Sequence, residues 1–242
     1  MLHSRAVSSI YRAAWLVPLG VLAALAARAQ ELRAPEDWTG QRDAATEQAL
    51  AGAKLVDSVV AVVGRRVITL SQLRAEARVG LADHGALEAA QGELSPALLS
   101  SSLEYLISQV LVEEEASRLQ VFPVTAAEYQ VAEDLLATRF PTHLAFESFL
   151  QRFDIDREQL RASLTRGLRA SRYLENRLRL QSQPTDMEVD ALLGRRTIDP
   201  SIPKDRAAAT AWLQQQKYNE LAKSLVAELR ARADVRILAS AP

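Results

Sequence analysis

Few side chains in this 242-residue sequence could transfer a proton or hold a metal near neutral pH, and they are scattered. There are three histidines and no cysteine. Without cysteine the chain has no disulfides, thiol nucleophile, cysteine-held metal or lipid-modified N-terminal cysteine. His84 lies in a polar, weakly patterned stretch and His143 near a predicted helix start, far apart and without carboxylates at metal-ligand spacing, so both are expected at the surface. Asp154 and Asp156 form a carboxylate pair that could suggest acid–base chemistry, yet Asp156 stands where the following helix needs an N-cap and is read as that cap. No nucleotide-binding motif is present. The expectation is a protein that is not an enzyme, with no catalytic residue, no metal and no cofactor.

Two other groupings could act by binding. Between Arg161 and Arg179 the chain carries six arginines and one acid, Glu175, with Arg166, Arg169 and Arg172 three residues apart on one side of a helix. Such a stripe could meet an acidic client or lipid headgroups. The plainer reading is a solvated face paired with Glu113 to Glu115 or other acids. Gly167 and Ser171, on the opposite side, suggest a close helix crossing. The second grouping is apolar: Leu144, Phe146, Phe149, Leu150 and Phe153 fall within ten residues of a chain otherwise poor in aromatics. Five such residues in ten exceed one helical stripe, so these side chains, with Trp212 further on, are the candidates for an apolar surface that binds peptide; core packing is the alternative.

The elements that must position these groups are mostly helices. Val59 to Val63 is short and β-branched, and Arg66-Val67-Ile68 follows after Gly64-Arg65, a loop suited to a type II′ hairpin. Thr69 can then cap a helix reaching about Leu81, with Gln72 placed to close a capping box. Ser95-Pro96 opens a helix to about Leu119, with Leu99, Leu103, Leu106, Ile107, Val110 and Leu111 at core-facing spacing. Thr125 with Glu128, Asp156 with Gln159 and Thr185 with Glu188 mark three more helix starts. A short additional helix is expected over 144–153, and a long one over 206–232 carrying Tyr218, Leu221, Leu225 and Leu229. The alternating segment 235–238 reads as a strand, and the hairpin near Val59 is the partner on offer.

Residues 1–29 read as a cleavable secretory signal, with Arg5 and Arg12 ahead of a run of fifteen residues from Ala13 to Ala27, short of the roughly 20 that a spanning helix needs. Maturation at Gln30 would remove three of the 29 basic residues and no acid, leaving 26 basic against 30 acidic side chains, a mild acidity that argues against nucleic-acid binding. Residues 30–53 are polar and weakly periodic, and are read as a flexible lead-in.

Four stretches resemble the SurA-type periplasmic chaperones, whose peptide-binding domain is like that of trigger factor. They are Val56-Asp57-Ser58-Val59-Val60-Ala61-Val62-Val63-Gly64-Arg65-Arg66-Val67-Ile68-Thr69; residues 103–119 with Glu113-Glu114-Glu115-Ala116; residues 157–193 ending in Pro184-Thr185-Asp186-Met187-Glu188-Val189-Asp190-Ala191-Leu192-Leu193; and residues 218–238. Family members usually carry parvulin-type prolyl isomerase domains after the position matched by Leu193, where this chain has only 194–205. Twelve residues fall well short of the ~50 of a small domain.

The resemblance implies a mainly α fold, a SurA N-terminal-like helical domain with a small β-hairpin joined by a C-terminal strand. It would be a single unit over 54–242, with a body at 54–193, a linker at 194–205 and a closing helix and strand at 206–238. It implies a periplasmic chaperone that works without ATP on unfolded or partly folded exported polypeptides, outer-membrane proteins in particular, with no nucleic acid and no stable membrane anchor. A dedicated assembly partner of one envelope or secreted protein is the alternative, and a prolyl isomerase a more distant one.

Overall fold

A computed structural model describes residues 57–195 and 203–238. The signal and lead-in segments, and most of 194–205, lie outside the described residues.

Over the described residues the chain is mainly α with one small antiparallel sheet. Strand β1 (Val59–Val63) turns through Gly64-Arg65 into β2 (Arg66–Thr69). Gly64 has φ +56° and Arg65 does not share a positive φ, as a type II′ loop requires. The β1–β2 register shifts between Val59 and Ala61, and this bulge turns the consecutive Val60 and Ala61 both inward, where each is buried.

Thr69 caps α1 (Leu70–Asp83) by accepting from the Gln72 backbone at 3.3 Å; the Gln72 side chain does not complete the box expected from sequence. A short helix, α2 (Leu87–Gln91), follows where no element was expected. Its N-cap is Ala86, which makes no side-chain cap, so the usual sequence signature is missing. Ser95 then caps α3 (Pro96–Arg118), Thr125 caps α4 (Ala126–Ala137) and Thr142 caps α5 (His143–Arg152). Asp156 caps α6 (Arg157–Leu178), and the boxes at Thr125 and Asp156 close in both directions. Thr185 and Glu188 make the same reciprocal bonds at the start of α7 (Asp186–Arg195). Asp205 caps α8 (Arg206–Arg232), which leads into β3 (Val235–Ile237).

Strand β3 pairs antiparallel with β1, giving the order β2-β1-β3. Backbone bonds from Gly64 N to Asp234 O at 2.8 Å and from Leu238 N to Val60 O at 2.9 Å extend this ladder at both ends. The last strand therefore closes the sheet that the first one opens, as its lack of a local partner predicts.

Burial falls into two main clusters. The first gathers the inner face of the sheet, Leu73 and Ala77 of α1, the apolar stripe of α3, Ala170 and Tyr173 of α6 and Leu229 of α8. The second gathers Val79 and Ala82 of α1, Ala90 of α2, Tyr129 and Leu136 of α4, the phenylalanines of α5, and Leu160, Leu164 and Leu168 of α6. Helices α1 and α6 each serve both clusters, one with its first half and one with its second.

Candidate functional site

Helix α6 sets the electrostatics of the body, because its arginines reach α1, α3, α4 and α5. Arg157 pairs with Glu133 of α4 and Glu147 of α5. Arg161 lies over the Tyr129 ring, 4.5 Å from its centroid. Arg169 donates to the carbonyl oxygens of Ala116 and Val121 at 3.3 and 3.2 Å and sits 3.6 Å from Glu113. Arg172 bonds Glu128 at 2.7 Å. That bond, with those from Thr125, outweighs desolvation and pulls the Glu128 carboxyl down to about 2.

Arg166 departs furthest from the sequence expectation of a solvated stripe. Its side chain is 4% exposed and pairs with Glu76 of α1, itself 13% exposed. Ser163 donates to the other Glu76 oxygen at 2.6 Å. The Arg166 Nε is buried without a hydrogen-bond partner among the described residues. The stripe is thus turned into the body, which removes Arg166 from contact with an acidic client or a lipid surface. Gly167 is buried on a helix whose most extensive packing is with α3, in keeping with a close crossing.

Beside this pair, a cleft of about 280 Å³ opens between α1 and α6. Its walls are Thr69, Gln72, Ala75, Glu76 and Val79 on one side, and Ile155, Gln159, Ala162 and Ser163 on the other. Both Glu76 oxygens are engaged, so the cleft offers amides, hydroxyls and apolar groups in place of a free charge. Sequence reading did not single out Glu76 or Ser163, and it named Gln72 only for a capping box with Thr69. Glu76 stands three residues after Leu73 and beside Ala77, on the inward face of α1, and a charge on an inward face signals a buried partner.

The apolar candidates separate. Phe146, Phe149 and Leu150 are closed into the second cluster, where Phe140 meets the Phe146 and Phe149 rings at centroid distances of 5.4 and 5.1 Å. These three cannot touch a client in this conformation, because the stripe of α5 is satisfied by α4 and α6. Phe153 is half-buried, with the Arg78 guanidinium over its ring at 3.8 Å. Leu144 is 75% exposed. Trp212 is half-buried on α8, a helix that packs on α3, α6 and α7, so it does not join the α5 aromatics in one groove.

The remaining candidates have structural partners. Asp156 accepts from the Gln159 backbone at 2.6 Å, fulfilling the cap. His84 and His143 are exposed, His84 bonded to the Gly80 carbonyl at 2.9 Å and His143 3.6 Å from Glu147. Among the described residues no group of three or more His, Cys, Asp or Glu could hold a metal, and no helix is long and apolar enough to cross a membrane. No family model matches the sequence, and no curated protein matches it.

Proposed function

We propose that the protein is a periplasmic chaperone that binds unfolded exported polypeptides, outer-membrane proteins foremost, without ATP and without catalysing prolyl isomerisation. The observation that carries this reading is the architecture built by the four resembling stretches: a hairpin-capped helical body that β3, at the far end of the chain, closes by pairing with β1. Apolar groups left toward solvent also favour it. Leu144, Leu180 and Met187 are 75, 74 and 80% exposed, and Trp212, Leu213 and Leu221 lie half-buried along α8. Binding through such groups gains about 25 cal/mol per Å² of apolar area removed from water, offset by ordering of the client chain, and is weak and reversible. The test is light scattering from a urea-unfolded outer-membrane β-barrel protein diluted into buffer. A few-fold excess of this protein suppresses aggregation if the reading holds; unchanged aggregation overturns it.

A further inference from the structure

We propose that the cleft between α1 and α6 seats one large apolar side chain of a bound polypeptide, with Gln72 and Gln159 hydrogen-bonding the peptide groups on either side of it. This rests on the chaperone reading and gives it a location.

Three properties of the cleft point to that occupant. The first is size: about 280 Å³, just below the range of roughly 300–1,000 Å³ usual for whole small-molecule ligands, is room for a side chain with its flanking backbone. The second is neutrality. Glu76 is the one ionisable lining residue, and its oxygens are taken by Arg166 and Ser163, so a charged guest would lose its hydration without gaining a counter-charge. The third is the division of the walls. Ala75, Val79, Ile155 and Ala162 line it with apolar groups, while Gln72 lines it from α1 and Gln159 from α6. The Gln72 side chain is not spent on the α1 cap, and Gln159 uses its oxygen to accept from the Asp156 backbone, leaving its NH₂ to donate. A peptide group needs one donor and one acceptor, and this pair of amides provides both.

The walls are also firm. Val79 is 1% and Ile155 5% exposed, both within the second core cluster, and the Glu76–Ser163–Arg166 bonds tie α1 to α6 beside the cleft. A seat held this rigidly discriminates by shape, and a flat aromatic ring between two helices loses little conformational freedom on binding. The aromatic residues that recur in β-barrel strands suit it better than small or charged ones.

The experiment uses the full chain and a fluorescein-labelled nine-residue neutral peptide with one central Phe, read by fluorescence anisotropy. Replacing that Phe by Gly should weaken binding about tenfold or more, the loss expected when a large apolar side chain is no longer buried. Filling the cleft from its rim by Ala162→Trp, at a solvent-exposed helix position, should give a similar loss with an unchanged melting temperature. Gln72→Ala should weaken the Phe and Gly peptides alike, since it removes the backbone contact common to both. If Ala162→Trp and Gln72→Ala bind the Phe peptide as the wild type does, while the wild type still suppresses client aggregation, the cleft assignment is overturned and the chaperone reading survives. A wild-type protein that neither binds the peptide nor suppresses aggregation overturns both.

Discussion

Replacing Glu76 by Leu should destabilise the protein more than any surface charge change, and replacing Arg166 by Met in the same chain should undo much of the damage. Glu76→Leu strips the carboxylate from a guanidinium that is 4% exposed and already has one unpartnered nitrogen, and it removes the acceptor of the Ser163 hydroxyl. Breaking a buried pair from one side costs about 3–5 kcal/mol, and an orphaned buried hydroxyl adds about 1–3 kcal/mol. Because Glu76 itself keeps 13% of its exposure, water can partly follow the guanidinium, and the lower end of the combined cost, about 4 kcal/mol, is expected. Against a usual stability of about 5–15 kcal/mol that is a large share. The double variant replaces both charges with apolar groups but still leaves the Ser163 hydroxyl without its acceptor, so it should return to within about 1–3 kcal/mol of the wild type. Urea unfolding followed by circular dichroism measures all four members of the cycle. A single variant that loses less than about 1 kcal/mol, or a double variant as unstable as the single one, would refute the assignment of this pair as the buried link between α1 and α6.

Other expectations follow from particular contacts. Gly64→Ala should cost about 1 kcal/mol or more, because φ of +56° is strained for any residue with a Cβ, and thermal unfolding would register the loss. The Glu128 carboxyl titrates at about 2 in the folded chain against 4.5 ordinarily, so its contribution is present above pH 4.5 and fades as pH falls toward 2; Glu128→Gln should flatten acid unfolding in that window, and an unaltered profile would count against the Arg172 and Thr125 bonds. A chain ending at Leu193 loses β3 and the packing of Leu225, Val226 and Leu229 on the first core cluster. At roughly 1.5–3 kcal/mol for each such side chain it should not fold cooperatively, and calorimetry showing an undiminished melting temperature would contradict the closure by β3.

Much of this fold is legible in the sequence because its helix starts are marked by side-chain chemistry. Ser95, Thr125, Asp156 and Thr185 each announce a cap, and all four make it. The pairing of β3 with β1 follows from a strand that had no neighbour. Helix α2 was missed because Ala86 caps nothing and five residues cannot show a period; Arg78 holds it through the Gly92 carbonyl at 3.0 Å, a contact invisible to local pattern. The arginine stripe was visible, but its partners were legible only in part. Glu113 was named for it, whereas Glu76 lies 90 residues from Arg166, and nothing in the spacing of 166, 169 and 172 reports which acid each will meet. The aromatic run raised the opposite difficulty. Its composition suggests a sticky surface, but Phe140, three residues before α5, completes a closed cluster with Phe146 and Phe149. The α1–α6 cleft was out of reach because its two walls come from segments far apart in sequence, Glu76 and Ser163 being separated by 87 residues.

The most direct test of the chaperone account is whether the protein tells an unfolded client from the same client folded. Binding of a fluorescently labelled outer-membrane β-barrel protein should be measured twice without nucleotide, once after dilution from urea and once after refolding into detergent micelles. The account predicts saturable binding of the unfolded form, unchanged on adding ATP, and none of the folded barrel. Equal binding of both forms, or binding of neither, would contradict it.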